Sequence, residues 1–125
     1  MLATDTSSLI TFLAGPTDRG KDLALIERAL VDSSLALPPV VLTELISGVR
    51  GGEVRSEIAA CPLLEIAPGY WERAGLTRRK LLRLGLAAKM PDTLIAQSCI
   101  DHDVALITRD GDFRHFAKHC GLKLA

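Results

Sequence analysis

Turn residues cut the apolar positions of this chain into short alternating units. Met1 to Thr4 reads as an apolar strand that stops at Asp5, and residues 6–14 follow as a helix with Leu9, Ile10 and Leu13 on one side, ended by Gly15-Pro16. Leu23, Ile26, Leu30 and Val31 recur at helical spacing across 21–33, and Leu35-Ala36-Leu37 is a second short strand. Residues 39–49 predict a helix that can start on Pro39 and close at Gly51-Gly52. A helical piece at 53–60 ends before Pro62, and Leu63 to Ile66 is a strand candidate. Residues 70–85 form a long amphipathic helix with Trp71, Ala74, Leu81 and Leu84 as its apolar positions. Pro91-Asp92 opens a helix reaching His102, with Leu94, Ile95, Ala96, Cys99 and Ile100 apolar. Val104 to Thr108 is the clearest strand, residues 112–119 are helical, Gly121 breaks them, and Leu122 to Leu124 offers a last strand. Strands alternating with helices imply a parallel sheet covered on both faces. The fold class is therefore α/β: a three-layer α/β/α sandwich around a central, mainly parallel sheet.

Composition narrows the picture. The 125 residues suit one domain spanning 1–125, and 48% hydrophobic content with a mean hydropathy of +0.24 excludes a disordered chain. Fifteen basic residues balance fifteen acidic ones, so a strongly basic nucleic-acid binder is excluded for the chain as a whole, though a local basic patch is not. No apolar run approaches the roughly 18–20 residues of a membrane span, and no secretory pattern opens the chain, so a cytoplasmic, membrane-free protein is expected. Cys61, Cys99 and Cys120 have neither the number nor the spacing of a disulfide framework or zinc knuckle. Reduced, buried thiols are the expectation.

The chemistry lies in the acids. Ligands of an open parallel sheet bind beyond the carboxyl ends of its strands, and two strands here run directly into carboxylates. The first ends at Asp5; Val104 to Thr108 ends at Arg109-Asp110-Gly111-Asp112. Glu44 lies beside the apolar stripe of its helix, among Val40, Val41, Leu45 and Gly48. Asp92 has Ala96 and Cys99 at i+4 and i+7, which aims it along a buried face. Each acid also has a plain structural account. Asp5 can cap the helix at 6–14, Asp92 can cap the helix it leads, and Asp110 and Asp112 around Gly111 suit a turn. Glu44 is the hardest to dismiss, because an unpaired carboxylate near a core is costly. Taken together, the five point to one rim. Clustered carboxylates repel one another unless a cation enters, and an all-oxygen, highly negative site suits Mg²⁺ or Mn²⁺. Such a site can activate water against a phosphodiester without a Ser, Cys or His nucleophile.

At these residues the chain resembles the PIN-domain ribonucleases, and among them the VapC-like toxins of bacterial toxin–antitoxin modules. The matching stretches are Leu2-Ala3-Thr4-Asp5-Thr6-Ser7, Leu42-Thr43-Glu44-Leu45 with Gly48, Pro91-Asp92-Thr93-Leu94-Ile95-Ala96, and Leu106-Ile107-Thr108-Arg109-Asp110-Gly111-Asp112-Phe113. Each alone is weakly specific; the ordered set covers essentially the whole chain. The resemblance implies that Asp5, Glu44 and Asp92 are catalytic, metal-binding acids. The fourth acidic position falls on Asp110 or Asp112, and the choice between them stays open. Thr6 and Ser7 match a hydroxyl-bearing position that orients the first Asp or holds a metal water, although Ser7 also suits a plain helix cap. The resemblance further implies Mg²⁺- or Mn²⁺-dependent endonucleolytic RNA cleavage, a homodimer, and inhibition by a VapB-like antitoxin.

Charge adds a second feature. Between Arg73 and Met90 stand six basic residues and no acid, with Arg78, Arg79 and Lys80 consecutive and Arg83 following. This stretch reads as a phosphate-contacting stripe or as a solvated helix face. Arg109, between a strand end and the acids, either touches substrate phosphate or pairs with a carboxylate. His115 and His119, with Cys120 next, lack the further ligand pair a zinc site needs, and 4% aromatic content disfavours an aromatic RNA-binding platform. Two other classes compete. A receiver-type phosphoacceptor domain needs an acidic pair after the first strand and a lysine near the last strand's end, whereas Asp5 has Thr4 and Thr6 beside it and Lys123 is nearly terminal. A catalytically silent α/β interaction module would have no reason to keep all these acids.

Overall fold

The structure is a computed structural model that describes residues 1–15, 20–48 and 56–125. Strand β1 (Leu2–Thr4) lies between β2 (Leu35–Ala36) and β3 (Ala105–Ile107), and both pairings are parallel. Leu2 faces Leu35 on one side and Ala105 on the other, so the chain steps outward from β1 in both directions. Single parallel bridges extend the sheet at either edge, Leu37 with Leu63 and Leu106 with Leu124. The five expected strands are thus present in order, but the two outermost shrink to one bridge each. An edge strand gains ladder hydrogen bonds on one side only, and these two have little length over which to collect them.

Among the described residues, seven helices surround the sheet: α1 (Thr6–Leu13), α2 (Lys21–Val31), α3 (Pro39–Gly48), α4 (Ser56–Ala59), α5 (Tyr70–Arg83), α6 (Met90–His102) and α7 (Phe113–Cys120). The layers are those expected of an α/β/α sandwich. Helix α3 starts on Pro39, where a missing N–H costs nothing. Gly121 ends α7 at φ +82°, a left-handed position that glycine takes without strain. The expected closure at Gly51-Gly52 and the start of the helix at 53–60 lie outside the described residues. Leu9, Leu23, Ile26, Leu45, Ile95, Leu106, Phe113 and Phe116 are fully buried and knit the helices to the sheet. No described helix is long and apolar enough to cross a membrane. Cys99 is buried and Cys61 and Cys120 half-buried; burial pushes the Cys99 thiol up to about 12.

The apolar face of α5 differs from the one its sequence suggests. Tyr70, Ala74 and Leu81 are buried, whereas Trp71 and Leu84 stand in solvent, 63% and 52% exposed. The helix packs antiparallel on α6 through polar contacts that fix it against sliding. Arg73 grips Asp101 at 2.6 and 3.0 Å, Thr77 donates to Gln97 at 2.5 Å, and the Tyr70 hydroxyl donates to the Leu94 carbonyl at 2.6 Å. This hairpin holds the first turn of α6, with Asp92 on it, where the sheet needs it.

Candidate functional site

Because the chain leaves β1 for β2 on one side and β3 on the other, the carboxyl ends of β1 and β3 flank the switch point of the sheet. Asp5 follows β1 directly and caps α1, its Oδ1 accepting from the Ser8 N–H at 3.0 Å. Its Oδ2 accepts from Ser7 Oγ at 3.1 Å and from Thr108 Oγ1 at 2.6 Å. Three donors offset the desolvation of a side chain that is only 2% exposed. The capping account of Asp5 and its place at the rim are therefore both correct. Ser7 orients Asp5 and is not itself the cap.

Thr108 is the residue that sequence reasoning missed. Its hydroxyl donates to Asp5 and accepts from the Asp110 N–H at 3.0 Å, joining two motifs 103 residues apart. Only its place at the end of a strand, next to the acidic turn, hinted at this. Thr6 does similar work for Glu44, donating to Oε1 at 2.7 Å. Glu44 is thereby tied to the residue beside Asp5 and is half-buried on α3.

Three carboxylates remain without a clamp from a distant element. Asp92, Asp110 and Asp112 each offer an oxygen within 4.8 Å of the others, and all three side chains are partly exposed. Asp92 does not cap α6. The cap position is Lys89, Asp92 stands third in the helix, and its carboxylate has no hydrogen-bond partner among the described residues. Asp110 Oδ1 accepts from the Asp112 N–H at 2.9 Å, the turn hydrogen bond expected around Gly111. That same turn brings both carboxylates toward Asp92. Burial pushes the Asp92 carboxyl up to about 6, with further upward pressure from Asp110, Asp112 and Asp5 against a downward pull from Lys89. Ligand oxygens around Mg²⁺ at about 2.1 Å stand at most about 4.2 Å apart. Small side-chain rotations would suffice to set the three oxygens around one hard cation. The donor set is all oxygen and fits that class of ion.

The basic residues separate into engaged and open ones. Arg109 holds Asp22 through Nε at 2.7 Å and a second nitrogen at 3.1 Å, and this keeps the Asp22 carboxyl below its ordinary range. Of its two expected uses, the structure displays carboxylate pairing, and the carboxylate is not one of the rim acids. Arg78 donates to the Ala88 carbonyl at 2.8 Å and Lys80 to the His119 carbonyl at 2.6 Å. Arg79 and Arg83 have no hydrogen-bond or ion-pair partner among the described residues. Lys89 is the cation whose field reaches Asp92. No group of three potential ligands among the described residues includes His115, His119 or Cys120. Lys123, the lysine a phosphoacceptor site would need, pairs with Asp103 at 2.7 Å.

Comparison with known proteins bears on this arrangement. The family model of the PIN domain matches residues 2–119. Among solved structures, the chain is similar to one in the crystal structure of VapBC2 from Rickettsia felis bound to a DNA fragment from their promoter. The two share 20% identity at a TM-score of 0.73, over 100% of this chain and 98% of that one. A search of curated proteins returns no match.

Proposed function

The chain belongs to the PIN domain family, and from that premise we propose that it is a metal-dependent endoribonuclease acting as the toxin of a VapBC-like module. The observation that carries this reading is the meeting of Asp92, Asp110 and Asp112 within 4.8 Å, beside the clamped Asp5, at the carboxyl edge of the sheet. In this reading Asp92, Asp110 and Asp112 hold Mg²⁺ or Mn²⁺ directly, with Asp5 and Glu44 completing the acidic wall. When bound, such an ion supplies the positive charge that polarises water and the phosphodiester.

The chain's own groups do the positioning. Ser7, Ser8 and Thr108 fix the Asp5 carboxylate in one orientation, and Thr6 fixes Glu44. Asp110 and Asp112 are set by their shared turn. Arg109 anchors that turn to α2 through Asp22, which gives it a supporting role beside any contact with substrate phosphate. Phosphate contact falls mainly to Arg83 and Lys89, at the end of the α5–α6 hairpin nearest Asp92. Arg78 and Lys80 are already engaged with carbonyls. The Rickettsia felis neighbour is a VapBC complex, which supports a VapB-like antitoxin as partner; a homodimer is proposed with it.

The test is cleavage of a defined single-stranded RNA by purified protein. Products should form with Mg²⁺ or Mn²⁺, stop on EDTA, and disappear in Asp92→Asn and in Asp110→Asn/Asp112→Asn. Undiminished, EDTA-resistant cleavage by these variants would remove the metal-site assignment.

A further inference from the structure

The turn after β3 faces two ways. Asp110 and Asp112 gather with Asp92, whereas Arg109, one residue earlier, reaches α2 and holds Asp22. Between the start of α2 and the end of β3 lies a notch of about 200 Å³, with Lys21, Asp22, Thr108 and Arg109 as its polar lining. That volume is below the roughly 300–1,000 Å³ of a site built for a whole small molecule. It suits one polar group of a larger ligand.

The notch shares a wall with the acidic edge. Thr108 lines it and donates to Asp5 Oδ2 at 2.6 Å. Ser8, whose N–H holds Asp5 Oδ1, accepts the Arg109 N–H on its hydroxyl at 3.2 Å. Asp22, and at longer range Asp5, push the Arg109 guanidinium further toward its charged form. A group seated in the notch is therefore a neighbour of the carboxylates without displacing any of them.

The charges say which group. Arg109 gives Asp22 its Nε and one terminal nitrogen; the other, Nη1, has no partner among the described residues. Both Asp22 oxygens are taken by that fork, and the Asp22 side chain is only 12% exposed. Asp22 thus fixes the guanidinium and leaves one donor edge open. Lys21 is exposed, and its ammonium has no partner among the described residues. A divalent cation would be repelled by both. A phosphodiester, small and singly negative, is what an arginine edge and a lysine ammonium recognise together.

We infer that Lys21 and Arg109 seat a phosphodiester flanking the scissile one, with Asp22 as the positioning residue for Arg109. The strand then crosses the acidic edge between two cationic banks, Arg83 with Lys89 on the hairpin side and Lys21 with Arg109 on the α2 side. The inference rests on the nuclease reading for the identity of the strand.

A phosphate scan on the full chain tests it. Each phosphodiester of a short single-stranded RNA is replaced in turn by an uncharged methylphosphonate. Cleavage is read as kcat/KM with Mg²⁺; binding is read by fluorescence anisotropy in an Asp92→Asn background, which removes cleavage. One position beside the cleaved bond should cost the parent protein about tenfold in both, the loss of a charge-assisted hydrogen bond. Lys21→Ala should melt like its parent, lose about as much on all-phosphate RNA, and reduce the salt slope by about 0.7. Neutralising that same position should then cost Lys21→Ala nothing more. Arg109→Lys keeps the charge without the fork and should lose part of the effect at the same position. Losses that simply multiply, or a Lys21→Ala variant with unchanged slope and kcat/KM, overturn the seat, as does a parent protein that binds no RNA. Linked losses in binding without any cleavage support the seat and refute the nuclease reading, whereas cleavage indifferent to Lys21 and Arg109 does the reverse.

Discussion

Replacing Asp92 by Asn should stabilise the metal-free protein, although the same change should abolish cleavage. Asp92 is half-buried, faces Asp110 and Asp112, and its carboxyl is raised from 3.8 to about 6. A group whose folded pKa lies above its unfolded value binds its proton more tightly in the folded state. Its ionisation therefore opposes folding. The penalty is absent below the unfolded value near 4, grows as pH rises through about 6, and is constant above that. A shift of this size corresponds to at most about 3 kcal/mol; solvent screening of a half-exposed group reduces it to ~1 kcal/mol. For a chain of this length that is a gain of about 2–6 °C in Tm. Thermal melts in EDTA at pH 7.5 should thus place the Asp92→Asn variant above the wild type. The gap should narrow as pH falls below about 6 and close below about pH 4, where the carboxyl carries its proton in both the folded and the unfolded chain. Adding Mg²⁺ at pH 7.5 should raise the wild type and leave the variant unmoved. A variant less stable than the wild type in EDTA, or a gap that ignores pH, would refute the reasoning.

Thr108→Val removes the hydroxyl that joins Asp5 to the Asp110 turn; RNA cleavage should fall by roughly 10- to 100-fold, the usual loss for a partner that orients a metal ligand, and Thr108→Ser should recover most of it. Cleavage and metal affinity in the wild type should both rise with pH through about 6, because a metal ligand must shed its proton; a flat pH–affinity curve from pH 5 to 7.5 would dissociate Asp92 from metal binding. Arg83→Glu together with Lys89→Glu should weaken RNA binding and reduce the salt slope by about one to two units, as read by fluorescence anisotropy across a salt series; an unchanged slope would return both residues to a solvated surface. Asp22→Asn should lower Tm and slow cleavage together, since it frees Arg109 and with it the acidic turn.

Much of this arrangement is local, and what is local was legible. β1 and β3 are continuous apolar runs that end in acids, and Pro39, Gly121 and Pro91 punctuate helices where such residues belong. Those signals place Asp5, Asp92, Asp110 and Asp112 at one rim without reference to any distance. The clamps were not legible because their partners are remote: Thr6 to Glu44 spans 38 residues, Arg109 to Asp22 spans 87, and Thr108 to Asp5 spans 103. A hydroxyl at a strand end has several satisfactory uses, and only the folded register selects one. Helix α5 illustrates a second limit. It carries two apolar stripes, one through Tyr70, Ala74 and Leu81 and one through Trp71 and Leu82. Periodicity reports that both exist. It does not report which one the chain buries itself.

The acids at the rim divide into two kinds, and the division explains how a neutral chain tolerates them. Both Asp5 oxygens accept hydroxyl or amide donors from the chain, and Glu44 Oε1 is held by the remote Thr6 hydroxyl, so both side chains are oriented before any ion arrives. Asp92 and Asp112 have carboxylates without such donors among the described residues, and Asp110 has a single one. Clamping all five would have built a rigid polar network with little free acceptor capacity; clamping none would have left five charges in mutual repulsion next to the core. The clamped pair sets the shape of the rim, and the open three keep lone pairs directed into a shared space. The zero net charge of the chain is the sum of this acidic edge and the basic α5–α6 hairpin beside it. Because the two are separated on the surface, a cation drawn to the first and a phosphate drawn to the second would meet at their boundary, where Lys89 stands next to Asp92.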